Sequence, residues 1–271
     1  LALTEDELAQ HFEAVEKALS VSFLRGLAPA ASRKLFEGAS ELGWKCVEVP
    51  RWLKHELRQT QDGSPKDTRQ SMTRTFIPRF LTAGGRLAPE TWIRELRRSG
   101  RKWWLIGQHH AREAPPLRIQ IEADRVFVCC GAIQTPALLR RSGITRNVGN
   151  SLRLHATVKI VARFPEEVNS LNMGVPVHQV KEFAPRFSLG CSISTPPYLA
   201  LAMADHPEHL PEVDGGRTQM AIYYAMIRGG QGSVRNVPFY RDPWVRYRLT
   251  PQDLADLAEA LRRLAECLLA A

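Results

Sequence analysis

One stretch of the chain combines residue types that can bind a negatively charged ligand. The apolar run Val126–Cys130 is followed by Gly131, and then by Thr135 and Pro136. A glycine leaves no side chain between the backbone and a ligand, and a threonine before a proline is typical of a helix start. The unpaired N–H groups of a helix start favour an anion. This order of residues therefore predicts an anion-binding corner.

A strand, a turn and a short helix must position these groups. The run Val126–Cys130 has no polar alternation, which predicts a strand buried on both faces, as in a parallel sheet. Residues 137–141 favour a helix, and Gly143 is placed to end it. In open α/β sheets, ligands bind where such strands end and the next helix begins. A strand, turn and helix without a ligand is the alternative interpretation.

The same stretch resembles a signature of the glucose–methanol–choline (GMC) oxidoreductases, which are FAD-dependent enzymes. The residues at the spacing of that signature are Gly131-Ala132, Thr135-Pro136, Leu138-Leu139 and Ser142-Gly143-Ile144. The family usually has a glycine at the next position, where this chain has Thr145. The resemblance implies FAD as the cofactor. It makes Gly131, Ala132 and Thr135 candidate cofactor-binding residues, through close backbone approach and hydrogen bonds at the helix start.

Residues 147–155 resemble a second GMC stretch. The matching positions are Val148, Gly149, Leu152 and His155, while Ser151 stands where the family usually has an asparagine. The resemblance implies that His155 lies near the flavin and is a candidate cofactor-binding residue. The alternative is a structural histidine held by hydrogen bonds.

Ahead of these stretches the polarity pattern predicts an antiparallel meander. Thr91–Arg98 and Lys102–His110 read as two strands around a tip that contains glycine, and Leu117–Glu122 alternates strictly as a third strand. In the family, a backbone group near the start of such a meander contacts the adenine of FAD. The resemblance implies that Trp92 or Ile93 makes this contact here.

Part of the chemistry of a GMC enzyme is missing from these residues. The chain has no G-x-G-x-x-G loop, which lets the backbone approach a pyrophosphate. The resemblance places that loop upstream, and the histidine that takes the hydroxyl proton downstream, so no catalytic residue is assigned within the chain. The chain starts at Leu1, just before a predicted helix, and ends within another. These features predict an interior fragment that binds FAD poorly and is inactive alone.

The predicted elements indicate an α/β with α+β architecture: part of an FAD-binding Rossmann-like domain plus an antiparallel-sheet substrate domain. Residues 1–70 are expected to form a helical segment on the substrate side. Residues 71–155 are expected to form the FAD-binding portion, with the meander, the buried strand and the short helix. Residues 156–271 are expected to form the substrate domain.

Local signals predict further elements. They are a capping box at Thr4–Glu7, a helix over 32–42, a strand over 45–49, a loop over 59–68, a helix before Gly84-Gly85, strands over 158–164 and 218–227, and a final helix capped by Thr250–Asp253. The segment Gly229–Gly232 lacks the lysine and hydroxyl residue of a phosphate loop, and we interpret it as a turn.

Composition narrows the class of protein. The chain has 271 residues, 44% of them hydrophobic and 24% charged, which suits one large or two small globular domains. It contains no apolar stretch of the ~20 residues that span a bilayer, and no secretory signal. Its five cysteines lack a paired metal spacing, which favours reduced thiols in a reducing compartment such as the cytoplasm.

The chain is basic, with a formal net charge of +9. Its arginines are spread along the whole length, which favours a solvated surface rather than a nucleic-acid partner. A metal site is disfavoured as well, because the adjacent His109 and His110 point to opposite faces of a strand.

The resulting hypothesis is oxidation of an alcohol to the carbonyl, with hydride transfer to FAD, as part of a longer protein. Apolar strands in the expected substrate domain favour a lipophilic small-molecule alcohol, and the electron acceptor is left open. The competing hypothesis is a non-catalytic basic binding or scaffold protein, with nucleic acid as a candidate partner.

Overall fold

A computed structural model describes residues 3–24, 26–53, 69–170 and 174–271. The loop expected over residues 59–68 lies outside these ranges. The helices of the described residues are α1 (Glu5–Ala18), α2 (Ala30–Glu41), α3 (Phe76–Thr82), α4 (Gly131–Arg141), α5 (Pro196–Ala202), α6 (Pro211–Gly216) and α7 (Pro251–Leu269). The strands are β1 (Val21–Ser22), β2 (Cys46–Glu48), β3 (Arg51–Trp52), β4 (Thr91–Ser99), β5 (Lys102–His109), β6 (Leu117–Ala123), β7 (Leu152–Leu154), β8 (Thr157–Arg163), β9 (His178–Val180), β10 (Phe187–Cys191), β11 (Met220–Ile227), β12 (Gly229–Arg235) and β13 (Trp244–Arg248).

The chain divides into two compact units. The first unit comprises Leu1–Gly85, Ala156–Arg228 and Leu254–Ala271, and the second comprises Arg86–His155 and Gly229–Asp253. Strand pairs within the described residues are antiparallel. The mixed α/β class with antiparallel sheets is therefore confirmed. The Rossmann-like portion and the functional role expected for each range of the chain stay predictions.

A five-stranded sheet organises the first unit, in the order β2-β9-β10-β11-β8. All five residues of β10 are buried, and α2 and α7 contribute to the same core as β10 and β11. Leu35 of α2, Leu189 of β10 and Leu264 of α7 have no exposed surface in that core. The apolar run over residues 218–227 thus corresponds to a central strand of this sheet, β11.

Two helices of the first unit approach each other closely at Gly38 of α2. A Cβ atom added to Gly38 would lie 1.8 Å from the carbonyl oxygen of Cys267 in α7. Because real Cβ atoms do not come so near to backbone, only glycine permits this crossing. The sequence indicated a helix here but not the reason for a glycine within it.

A three-stranded meander, in the order β4-β5-β6, forms one part of the second unit, and a sheet in the order β13-β12-β7 forms another. The predicted hairpin and third strand are confirmed. Strand β4 carries a bulge between Ile93 and Glu95, opposite Gly107 of β5. A Cβ atom on Gly107 would lie 2.3 Å from the carbonyl oxygen of Trp92. The bare glycine therefore makes room for the bulged backbone at the start of β4.

The buried strand expected over Val126–Cys130 is wrong. These residues have no regular secondary structure, and Phe127 is 87% exposed. A strand needs a neighbouring backbone to pair with, and no strand in the described part of the chain pairs with this segment. A run of apolar residues indicates a preference for burial, but it does not show whether another strand is available to pair with it.

The helix after this run begins earlier than expected. The predicted cap at Thr135 is wrong, because α4 starts at Gly131, which has a φ of +78°, and Pro136 lies inside the helix. The hydroxyl of Thr135 nevertheless accepts a hydrogen bond from the backbone N–H of Cys130, at 3.1 Å. The predicted glycine stop is confirmed, since Gly143 has a φ of +79°.

The turn expected over Gly229–Gly232 is also wrong, because these residues begin β12. A Cβ atom on Gly230 would lie 2.1 Å from the ring of Tyr247 in β13. The hydroxyl of Tyr247 donates to the carbonyl of Gly229 at 3.1 Å. Gly230 thus leaves free the space that the ring of Tyr247 in the neighbouring strand occupies. No local sequence pattern indicates this contact.

Several predictions from short local signals at helix ends are confirmed. The capping box Thr4–Glu7 forms at the start of α1, and Thr250 and Asp253 exchange hydrogen bonds at the start of α7. Gly43 follows α2 and Gly84 follows α3, both with positive φ, as expected of helix stops.

We predict that Gly38→Ala destabilises the first unit. The added methyl group forces the backbones of α2 and α7 apart, which is expected to lower the free energy of unfolding by about 1–3 kcal/mol. Denaturant unfolding of the purified chain measures this. Gly215→Ala in α6 is the matched control, because its Cβ position has no atom within 4 Å. Equal destabilisation by the two substitutions would contradict the packing argument.

Candidate functional site

A cavity of about 540 Å³ lies within the second unit. The start of β4 contributes Thr91, Trp92 and Ile93 to its wall. Cys130 and the helix α4 contribute a second wall, with Gln134, Leu138 and Arg141. Arg241 and Asp242, between β12 and β13, complete the lining. The two stretches that the sequence singled out for a nucleotide, at β4 and at α4, therefore meet around one cavity.

Helix α4 is fixed on β4 by side-chain hydrogen bonds. The backbone N–H of Leu96 donates to Oγ of Ser142 at 2.8 Å. Nε of Arg141 donates to the carbonyl of Arg94 at 2.9 Å. Within the described residues β4 is an edge strand that pairs only with β5, so these bonds satisfy backbone groups of its free edge. The distance between the two walls of the cavity is set in this way.

Three guanidinium groups surround the indole of Trp92. The distance from the guanidinium carbon to the ring centroid is 4.9 Å for Arg241, 5.5 Å for Arg141 and 6.0 Å for Arg94. Cations attract an aromatic face at such distances. Trp92 is thus the centre of a positively charged cluster, which we call the arginine cluster (Arg94, Arg141 and Arg241).

The charges of the arginine cluster are only partly compensated. Burial lowers the pKa of Arg141, and the positive charge of Arg94 lowers it further. The carboxylate in the cavity wall, Asp242, accepts a hydrogen bond from Nε2 of Gln134 at 3.2 Å. No member of the cluster forms an ion pair with a carboxylate in residues 3–24, 26–53, 69–170 and 174–271. The cavity therefore has the electrostatics of an anion site.

A second, smaller cavity of about 330 Å³ lies on another side of α4 in the same unit. Ala132 and Pro136 of α4 line it together with Gly149 and Leu152. Gly149 packs so tightly that a Cβ atom would lie 2.6 Å from the carbonyl oxygen of Val234. Leu152 is buried with Ala137 and Val234 in a small core. The sequence stretch around Val148–Gly149 is thereby anchored beside α4.

The five predicted cofactor-binding residues do not all share one cavity. Ile93 lines the larger cavity and Ala132 the smaller one. Gly131 is the first residue of α4, and no atom lies within 4 Å of its Cβ position. Thr135 hydrogen-bonds the backbone at the helix start. His155 is exposed, directly after β7, and lines neither cavity.

Sequence reasoning missed the polar residues of the larger cavity. Helical spacing separates Gln134, Leu138 and Arg141. The sequence therefore indicates that they share one face of α4, once the helix is known to begin at Gly131. Arg241 and Asp242 belong to a connection distant in sequence, and no local pattern indicates that they reach the cavity. Cys130 was predicted to end a buried strand, whereas it lines the wall of the larger cavity.

The cysteines fall into two groups among the described residues. Cys129 and Cys130 are exposed, next to the start of α4. Burial raises the pKa of Cys46 to about 11, and that of Cys191 and Cys267 to about 12. All five are free thiols. Cys129 and Cys130 are therefore the two thiols that are exposed to a reagent in solution.

Two kinds of feature are absent from the described ranges. In that part of the chain no group of three or more histidine, cysteine, aspartate or glutamate side chains is placed to hold a metal ion. None of the helices in those ranges is both long and apolar enough to cross a bilayer.

Comparison with known proteins identifies related sequences. The family model described as GMC oxidoreductase matches residues 2–157. An uncharacterised GMC-type oxidoreductase of Sinorhizobium fredii is 33% identical over 99% of the chain and 54% of its own length. A similar uncharacterised protein of Mycobacterium tuberculosis is 28% identical over 98% of the chain and 43% of its own length. The chain thus spans about half the length of these relatives.

A more distant relative has a named activity. A long-chain-alcohol oxidase of Arabidopsis thaliana is 24% identical over 88% of the chain and 34% of its own length.

We predict that two of the five thiols react in the folded chain. At about pH 8, iodoacetamide should label Cys129 and Cys130, because burial suppresses the thiolate form of the other three. Mass spectrometry of native and urea-unfolded samples identifies the labelled positions. Labelling of Cys191 or Cys267 in the native sample, at the rate seen for Cys129, would contradict the burial described here.

Proposed function

Because the chain belongs to the GMC oxidoreductase family, we propose that it forms part of an FAD-dependent enzyme that oxidises an alcohol to the carbonyl compound. The observation that carries this proposal is the cavity between the start of β4 and α4. These are the two segments in which the resemblance placed the adenine contact and the signature. Since the chain spans about half the length of its relatives, the proposal concerns the activity of the longer protein.

The residues of the cavity fit the nucleotide half of FAD. Its volume, about 540 Å³, lies within the ~300–1,000 Å³ of ordinary ligand sites. Trp92 offers an aromatic surface for a base, and the backbone of Ile93 supplies the predicted adenine contact. Arg141 and Arg241 carry the positive charge that an anionic dinucleotide requires. The charge, the aromatic ring and the volume together support FAD as the ligand.

The start of α4 is proposed to pass close to the cofactor. Gly131 leaves its Cβ position open, and Ala132 is exposed beside it. Thr135 holds the N–H of Cys130, which keeps the backbone at the helix start in one conformation. His155 is proposed to approach the flavin from the segment after β7, by a hydrogen bond from its imidazole.

The chemistry divides between cofactor and protein. FAD, when bound, would supply the acceptor for the hydride of the carbon that carries the hydroxyl group. The residues of this chain are proposed to bind and orient the nucleotide, and the first unit is proposed to contribute to the space for the substrate. A base must also take the hydroxyl proton, and we assign that role to no residue of this chain.

A lipophilic primary or secondary alcohol is the proposed substrate. The five buried residues of β10 and the largely buried β11 make the central sheet of the first unit strongly apolar. The relative from Arabidopsis thaliana carries the name of a long-chain-alcohol oxidase, which supports the same substrate class at 24% identity. The electron acceptor is left open, so oxidase and dehydrogenase are both compatible with the proposal.

We predict that Gly131→Ala lowers the FAD content of the protein expressed from its complete reading frame. The methyl group occupies the space through which the backbone is proposed to meet the cofactor. Gly100→Ala is the matched control, because Gly100 also has a positive φ, +58°, and an open Cβ position. Both substitutions strain the backbone, so only a difference between them reports on FAD. The measurement is visible flavin absorbance per protein, followed by aldehyde formation from a long-chain alcohol.

Two results would count against this function. Equal FAD content in the Gly131 and Gly100 variants would indicate that the start of α4 does not contact the cofactor. A flavin-free protein that retards nucleic acid at low salt would instead support the alternative of a basic binding protein.

A further inference from the structure

A cavity of about 440 Å³ lies in the first unit, against β8. It shares no residue with the two cavities beside α4. Lys159, Val161 and Arg163 line one wall together, because alternate residues of a strand lie on the same face. Met220 of β11 is paired with Arg163 and extends this wall. Residues 202–212, from the end of α5 to the start of α6, supply the other lining groups.

Part of the cavity lining is apolar. Ala202 and Met203, at the end of α5, line it together with Val161 and Met220. Met220 belongs to a small buried core of the first unit, and the other three side chains pack against that core. The volume lies within the ~300–1,000 Å³ of ordinary ligand sites. A ligand with an aliphatic chain would therefore gain about fourfold in affinity for each methylene group that it buries here.

The charged groups of the lining leave an excess of one positive charge. Arg163 and Glu212 offset each other across 3.9 Å, and Arg163 also donates to Oε1 of Gln219 at 3.3 Å. Lys159 is exposed, and it forms no ion pair with any carboxylate of the residues that the structure describes. With neutral imidazoles, the lining thus matches a ligand that carries one negative charge.

Two histidines of the lining are oriented by carboxylates. Nδ1 of His209 donates to Oε1 of Glu212 at 2.8 Å, and Nδ1 of His206 donates to Oε1 of Glu208 at 3.3 Å. The centroids of the two rings are 6.3 Å apart. When either ring is protonated, its Nε2 can donate to a further acceptor. The bond to Glu212 raises the pKa of His209, which favours the cationic form of this ring.

We propose that this cavity binds an amphipathic carboxylate, that is, an aliphatic chain that ends in a carboxylate group. The chain packs on Val161 and Met203, and Lys159 binds the carboxylate with the two histidines beside it. The inference goes beyond the proposed function, because this ligand is neither the alcohol nor its carbonyl product. An uncharged chain would leave Lys159 without a partner, and a phosphate dianion would exceed the positive charge of the lining.

The test is a set of calorimetric titrations of the purified chain at pH 8, with ligands below their micelle concentrations. Decanoate should bind about fivefold more tightly than its uncharged methyl ester, because Lys159 binds the carboxylate. Octanoate, which is two methylene groups shorter, should bind on the order of tenfold more weakly than decanoate. Equal affinities for decanoate and its ester would overturn the inference. Tighter binding of decyl phosphate than of decanoate would do so as well.

Matched variants assign the effect to the charge in the cavity. Lys159→Gln should weaken decanoate about fivefold and leave the methyl ester unchanged. Lys17→Gln changes an exposed lysine of α1 that does not line the cavity, and it should leave both affinities unchanged. Equal losses of decanoate affinity in the two variants would indicate a general charge effect and contradict the proposal. Far-ultraviolet circular dichroism checks that each variant is folded.

The histidines give a second, local readout of where decanoate binds. Diethylpyrocarbonate modifies accessible imidazoles, and mass spectrometry identifies the modified positions. Saturating decanoate should cause a loss of modification at His206 and His209, which line the cavity. Modification of His11, an exposed residue of α1, should stay unchanged. Decanoate binding without protection of His206 and His209 would place the ligand elsewhere and overturn the proposal.

Discussion

The contact between an exposed sheet edge and one helix governs the candidate site. In the part of the chain that the structure describes, strand β4 has a strand partner on one side only, so backbone groups on its other side need hydrogen bonds from elsewhere. Helix α4 supplies them through Ser142 and Arg141. Because the same helix also carries the signature residues, the bonds that complete the sheet edge set the width of the cavity. The position of the cavity is thus a consequence of satisfying the backbone of an edge strand.

The success of sequence reasoning depended on how far apart the interacting residues are. Capping boxes, glycine stops and the hairpin depend on neighbours within a few positions, and these predictions are confirmed. The predictions for Val126–Cys130 and Gly229–Gly232 depended on what lies beside the segment in space, and both are wrong. Gly230 is an example, because no local pattern indicates that the ring of Tyr247 occupies the space where a side chain at position 230 would lie.

The candidate site was accessible to sequence reasoning only in part. The resemblance led to the start of β4 and to α4, and Ile93 and Ala132 do line cavities there. The charged groups were not found, since Arg241 reaches Trp92 from a connection about 150 positions further along the chain. A motif carries the residues that a family holds in common. Arg241 lies outside the motif, and only a structure shows that it reaches the cavity.

The unpaired segment Val126–Cys130 also affects the behaviour of the chain in solution. It joins β-favouring residues without a charge or proline, and Phe127 is 87% exposed. Such segments serve as templates for intermolecular β-pairing, the first step of aggregation. Its two exposed thiols add a second route, since disulfides between molecules would make transient association permanent. The colloidal stability of the purified chain is therefore coupled to reductant and protein concentration through these five residues.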